Sequence, residues 1–283
     1  MSAKAYSADA RRNELHSKFG VDVIIRFHDL NAASELDRAL FSLFHQTHPS
    51  VRPVILAQGF DREALDQLER LACRYDWSLR GMAPAIVSVD NPEGRDIRSR
   101  LLNVGLKTGT GRYFAVLDAD DYWYGKAAEW LVAGLEGDKY AMAFGDIVVK
   151  NVSLSDGVQF IYGRSDGIYK GSGLQDLMEE NFCPIHSFVL DRCKVDSDDL
   201  YFNESLSRLE DYDFLIRICT RYPVNFGPRS RPVGVYNWKS DGSNSTVLGS
   251  ETRAELAVKQ RPWEEARAVI ELSKREARQR LGW

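Results

Sequence analysis

Four short apolar runs constrain this chain most: "VDVIIRF" (21–27), "PVILA" (53–57), "PAIVSV" (84–89) and "YFAVL" (113–117). Each is β-prone and nearly without polar alternation, the pattern of strands buried on both faces of a parallel sheet. Between them lie stretches of helical periodicity. "SELDRALFSLFHQ" (34–46) carries Leu36, Leu40, Leu43 and Phe44 on one face, with Ser34 in position to cap it. "DREALDQLERLACRY" (61–75) opens on Asp61, and "DIRSRLLNVGLKT" (96–108) closes on the glycines of "GTGR". Strand, helix, strand, helix predicts an α/β fold with a Rossmann-like, mostly parallel central sheet flanked by helices and joined by right-handed crossovers.

The alternation stops after residue 121. A helix is expected over 125–136, then two extended segments, "YAMAFGDIVVKNV" and "GVQFIYG", joined by "SLSD" as an antiparallel portion. "SLSRLEDYDFLIRICTRY" (205–222) returns to helical spacing, and the tail from Glu251 reads as a helical extension with Pro262 suited to a first helical position. The expected organisation is a polar segment (1–19), one catalytic-type domain (20–248) and a C-terminal helical extension (249–283).

Net charge is -4 and no long basic block occurs, which argues against nucleic acid as a partner. Four scattered cysteines form no C-x-x-C pair, so neither a zinc knuckle nor a disulfide scaffold is indicated. The N-terminal twenty residues lack the apolar core of a signal peptide, and no stretch has the length of a membrane span. A cytoplasmic location is the expectation.

The fourth run ends in "LDADDYW", where three carboxylates, Asp118, Asp120 and Asp121, meet aromatics. An acidic turn alone is common. This one falls beyond the carboxyl end of a buried parallel strand, where ligands of open α/β sheets bind, and paired carboxylates there suit a hard divalent cation. A second acidic pair, Glu210 and Asp211 in "LEDYDF", taken alone reads as a solvated helix face.

Taken in order, "VDVIIRF", "SLFHQTHPS", "LLNVGLKTGTGRYFAVLDADDYW" and "LEDYDFLIRI" resemble the inverting nucleotide-sugar transferases of glycosyltransferase family 2, which have the GT-A fold. The resemblance implies that Asp118 holds the donor ribose or helps ligate a metal, that Asp120 binds Mg²⁺ or Mn²⁺ at the diphosphate, and that Asp121 supports them. It implies Asp211 as the general base and Glu210 as its positioning partner. On the donor side it points to Asp96 at the nucleoside and Arg98 and Arg100 at the phosphates. His186 and Trp238 fall on the acceptor side. The implied partners are a UDP- or dTDP-type sugar donor and a glycan or lipid-linked acceptor in surface polysaccharide synthesis. Peripheral membrane contact, at the inner face of the membrane, and a homodimer are both left open.

The departures are as specific. Arg26 stands where many members have proline, and Gln58 stands where many have an Asp that reads uracil, although its amide could still pair with the imide edge of uracil or thymine. No late histidine follows "VYNW"; Lys239 or Asp241 is the nearest substitute. A dinucleotide-binding oxidoreductase is disfavoured because no G-x-G-x-x-G joins the first strand to its helix. Tyr122 stands against a dehalogenase-type phosphatase, whose motif needs Thr or Val there. A non-catalytic protein of the same fold is the remaining alternative.

Overall fold

A computed structural model describes residues 13–80, 82–155, 158–165, 168–240 and 253–283, with side chains of the last segment from residue 260. The four apolar runs form the parallel strands β1 (Val21–Phe27), β2 (Val51–Gln58), β3 (Ala85–Val89) and β4 (Tyr113–Val116). Here β1 lies between β2 and β4, and β3 pairs outside β2. Ahead of β1, residues 13–19 form the short helix α1. His16 ties it down, with Nε2 2.9 Å from Asp22 Oδ1 and Nδ1 2.7 Å from Ser50 Oγ.

The crossover helices are α2 (Ala33–Phe44), α3 (Arg62–Ala72) and α4 (Arg98–Thr108). The Asp61 carboxylate accepts from Ala64 N at 2.8 Å, the expected cap of α3. Ser34 is not a cap. Asp29 accepts from Asn31 N and caps a 3-10 turn, Leu30–Ala32, that runs straight into α2, so the cap lies upstream of Ser34. Helix α4 packs directly on β1 because residue 105 is glycine; a Cβ there would sit 2.7 Å from Ile24 Cγ2.

After β4 come β5 (Tyr122–Trp123), α5 (Ala127–Gly134), β6 (Met142–Phe144), the long hairpin β7 (Asp146–Ser155) and β8 (Val158–Ser165), and α6 (Leu174–Glu179). Then follow β9 (Phe188–Asp191), α7 (Glu210–Cys219), β10 (Val224–Asn225), β11 (Pro232–Lys239) and α8 (Arg253–Leu281). The main sheet has the order β10-β6-β9-β4-β1-β2-β3, with β9 antiparallel to both its neighbours. A second sheet, β5-β11-β7-β8, contains the expected antiparallel hairpin, but β11 returns parallel to β7.

Side chains of the central strands alternate between two cores. Ile24, Val54, Phe114 and Val116 face α4 and α7 in one, whereas Val23, Ile25, Ile55 and Ala115 face α2 and α5 in the other. Helix α8 joins the first core through Ile270 and Ala277. It is fixed on α7 and α6 by hydrogen bonds from Ser273 Oγ to Asp213 Oδ1 and from Lys274 Nζ to Glu179 O, both 3.0 Å. Replacing Ile270 by Ala removes buried surface and costs about 2–5 kcal/mol.

Pro262 does not start this helix but lies inside it. The preceding "RAELAVKQR" is rich in strong helix formers, which extend the helix upstream at the loss of one backbone hydrogen bond. Helix α7 is shorter than its periodicity suggested, beginning at Glu210 because Leu209 adopts a left-handed conformation (φ 58°). Among the described residues no helix is long and apolar enough to cross a membrane.

Candidate functional site

Both acidic groups open on one cleft at the carboxyl end of the parallel strands, and the β-sheet register explains how an arginine comes to join them. Val116 of β4 pairs with Ile24 of β1, and Leu117 N donates to Ile24 O at 2.9 Å. Carried two residues further, that register sets Arg26 beside Asp118. The guanidinium donates from Nη2 to Asp118 Oδ1 at 2.6 Å and from Nη1 to Glu210 Oε1 at 2.8 Å. Burial opposes the charge on Arg26, but its two carboxylate partners more than offset this and raise its pKa. Burial likewise pushes Asp118 upward, and Arg26 outweighs it, so Asp118 is held below its ordinary value.

The chain turns immediately after Asp118, with Asp121 N donating to Asp118 O at 3.0 Å. Strand β11 grips this turn. Asn237 N donates to Asp121 Oδ1 and Asn237 Nδ2 to Asp120 O, both at 2.7 Å. The Asp120 carboxylate turns to Lys239, whose Nζ lies 3.0 Å from its Oδ2 and 3.0 Å from Glu35 Oε2.

Asp121 Oδ2 is different. It is buried without a hydrogen-bond partner, and 3.5 Å away stands His186 Nδ1, equally buried and unpartnered. The His186 backbone is fixed by Trp123 Nε1, which donates to its carbonyl at 2.8 Å, and its ring stacks on Tyr236. Burial brings the His186 pKa down to about 4, leaving a neutral imidazole with a lone pair to offer. Burial first, then the charges of Asp120 and Asp118, pushes Asp121 well above its usual range.

Donor atoms of Asp118, Asp121 and His186 lie within 4.8 Å of one another. A divalent ion with ligands at about 2.0–2.6 Å can span that separation. Two carboxylate oxygens, one imidazole nitrogen and unsatisfied polar atoms among them fit a divalent cation. The sequence placed the metal on Asp118 and Asp120 and His186 on the acceptor side. The structure groups Asp118 instead with Asp121 and His186, and engages Asp120 with Lys239.

Across the cleft, the left-handed Leu209 turns the chain so that Glu210 and Asp211 occupy the first turn of α7. Such a conformation costs an ordinary residue about 1–3 kcal/mol and tends to persist at functional sites. Glu210 is buried and bound to Arg26. Asp211 has no cationic partner within ion-pair distance among the described residues; Tyr212 N donates to its Oδ1 at 2.8 Å and Asn181 Nδ2 to its Oδ2 at 3.2 Å. Burial, then the neighbouring charge of Glu210, pushes Asp211 up to about 7. That matches a proton acceptor working near neutrality.

The cleft, about 520 Å³, is lined by Arg98 as well as by Arg26, Asp118, His186, Glu210 and Asp211. Arg98 is bound to Asp96, which also receives Arg208 at 2.7 Å. Burial would raise Asp96, but these arginine bonds take it down to about 2. Gln58 ends β2 half-buried, Trp238 is half-buried beside Tyr236, and Arg100 is exposed on α4. None of these three lines the cleft. Asp241 lies outside the described residues.

Arg26 is the functional side chain that the sequence registered only as a departure. Its signal was a charge inside an otherwise apolar strand, which burial tolerates only with partners.

The family model described as "Glycosyl transferase family 2" matches residues 22–196. An "Uncharacterized glycosyltransferase" of Haemophilus influenzae is 28% identical over 189 residues, covering 65% of this chain and 56% of that protein, so the chain matches only about half of its relative. Among solved structures, TarS 1-349 of S. aureus in complex with UDP-GlcNAc superposes with a TM-score of 0.56 at 14% identity, covering 82% of this chain and 62% of the other. The mannosyltransferase PcManGT from Pyrobaculum calidifontis, in complex with GDP-Man and Mn²⁺, gives 0.50 at 13% identity over 83% of this chain and 66% of the other. At these identities the structural likeness speaks to fold alone.

Proposed function

The chain belongs to glycosyl transferase family 2 and is a glycosyltransferase of the GT-A fold; from that premise we propose that it transfers sugar with inversion from a nucleoside-diphosphate sugar. Asp211 accepts the acceptor hydroxyl proton as that oxygen attacks the anomeric carbon. The C–O bond to the diphosphate breaks on the opposite face. One displacement turns an α-linked donor into a β-linked product.

The observation that carries this reading is the division of labour among five carboxylates. Arg26 neutralises Asp118 and Glu210, and Lys239 engages Asp120. Asp121 and Asp211 are left without an Arg or Lys at ion-pair distance among the described residues, and these are the two acids pushed upward. One lacks a cation; the other is set to take a proton.

Asp118, Asp121 and His186 would hold the divalent cation, which when bound offsets charge on the departing diphosphate. Arg26 ties Glu210 and Asp118 together through one guanidinium. Glu210 in turn supplies the charge that raises Asp211 toward neutrality. The neighbours that hold UDP-GlcNAc or GDP-Man lend support to a nucleotide-sugar donor here. A UDP- or dTDP-type donor and a surface glycan or lipid-linked acceptor complete the proposal.

Calorimetric titration with UDP, dTDP, GDP and CDP, each with and without Mn²⁺, tests it. The expected result is binding of UDP or dTDP that strengthens markedly with metal. Binding indifferent to Mn²⁺ would remove the cation from the scheme, and no binding of any nucleotide would remove the donor site.

A further inference from the structure

The cleft has a wall that lies outside the segment matched by the family model. Helix α8 contributes Trp263, Arg267 and Glu271, spaced four residues apart on one stripe, with buried Ile270 and Lys274 beside them. The stripe cannot swing freely. Below it, Ser273 is bonded to Asp213 and Lys274 to Glu179 O, and Arg280 Nη1 donates to Thr220 Oγ1 at 3.0 Å.

This wall belongs to the base side of the cleft. Helix α8 packs along α7, whose first turn bears Asp211, whereas the donor-side carboxylates come from the end of β4 across the cleft. A group held between α8 and Asp211 is placed as the acceptor must be, with a hydroxyl toward the base.

The charges on the wall are unevenly matched. Glu271 is paired with Lys274 at 3.1 Å, Glu179 with Arg278 at 3.1 Å, and both Arg98 and Arg208 with Asp96. Glu180 is not within ion-pair reach of Arg267. Arg267 itself is exposed in the cleft with no hydrogen-bond or ion-pair partner among the described residues. One turn before it, Trp263 is half-buried with the Arg208 guanidinium 5.9 Å from its ring centroid, which holds the indole in place. A rigid aromatic face beside an uncompensated guanidinium can take a sugar ring and an anionic oxygen group together, the latter through two parallel N–H bonds.

Resting on the glycosyl-transfer reading above, we propose that α8 forms an acceptor subsite in which Trp263 packs on a sugar ring and Arg267 binds a phosphate or carboxylate carried by that sugar. The acceptor class is an anionic saccharide.

The full-length chain is titrated with glucose 1-phosphate and, separately, with methyl α-glucoside by ligand-observed NMR, in the presence and absence of saturating UDP and Mn²⁺. Wild type is compared with Arg267→Gln and Trp263→Ala, thermal melts confirming that each variant is folded. Glucose 1-phosphate is expected to bind with UDP present and about tenfold more tightly than the neutral glucoside, the advantage of a charged hydrogen bond. Arg267→Gln should erase that advantage without changing UDP affinity, and Trp263→Ala should weaken both sugars. Absence of sugar binding to wild type, displacement of glucose 1-phosphate by UDP, or unchanged binding in Arg267→Gln would overturn the subsite. Weaker UDP binding in Arg267→Gln would also overturn it, by assigning Arg267 to the donor phosphates. If UDP fails to bind while the sugar results hold, the subsite stands and the glycosyl-transfer reading fails.

Discussion

The turn after β4 and the first turn of α7 both present carboxylates to one cleft, yet they are held in different ways. The first is gripped from outside. Asn237 and Lys239 of β11 fix Asp121 and Asp120, and Arg26 fixes Asp118. The second is set by its own backbone, with the left-handed Leu209 launching α7 and the Tyr212 N–H orienting Asp211. What remains unsatisfied differs accordingly. Asp121 Oδ2 faces a neutral imidazole and accepts no hydrogen bond among the described residues, a setting for a metal; beside Asp211 lie the Glu210 carboxylate and a neutral amide, a setting for a shared proton. Similar residues thus acquire different chemistry from what surrounds them.

The sharpest break is Asp211→Asn, which should lower turnover by about 10²–10⁴-fold while leaving metal-dependent nucleotide affinity intact. In wild type, kcat/KM should rise with pH through the Asp211 value of about 7, because only the ionised form accepts a proton; the variant should lose that limb. Stability should move the opposite way. A carboxyl whose folded pKa lies above its unfolded value binds more protons when folded, so its contribution is present at low pH and is lost as pH rises toward 7. Melting curves should therefore show Asp211→Asn gaining on wild type between about pH 4 and pH 7, and holding that gain above it.

Arg26→Met comes next because it strikes both groups at once. Breaking a largely buried ion pair from one side costs about 3–5 kcal/mol, and chemical denaturation should register a loss of that order. Stability and activity both retained would show that Asp118 and Glu210 do not depend on this arginine. His186→Ala should have the smallest effect and the most selective. Nucleotide affinity measured with Mn²⁺ should fall about tenfold, the scale on which metal-site partners act, with little change when Mn²⁺ is absent. An equal fall in both conditions would detach His186 from the cation.

The parallel framework was legible because burial on both faces leaves a one-dimensional trace. Strands β1 to β4 are continuous apolar runs, and the Asp61 cap and the Leu36, Leu40 and Leu43 stripe are local signals. The two acidic groups were legible as motifs. What escaped was their pairing. Arg26 meets Asp118 across 92 positions and Glu210 across 184, and His186 meets Asp121 through a turn whose course depends on β9 and β11. No local pattern encodes such distances. The same holds for β11, whose parallel return to β7 is settled by tertiary packing.

The arginine bridge also bears on the order in which the molecule is made. Strand β1 and the turn at Asp118 leave the ribosome well before Glu210, so Arg26 and Asp118 can pair with one guanidinium arm still waiting and the turn not yet gripped by β11. Only when α7 arrives is that arm filled and the α7 edge of the cleft closed. A nascent chain stalled short of residue 210 would carry Asp118, Asp121 and His186 but neither Asp211 nor the β11 residues that grip the turn, so the two acidic groups of the cleft come together only late in synthesis.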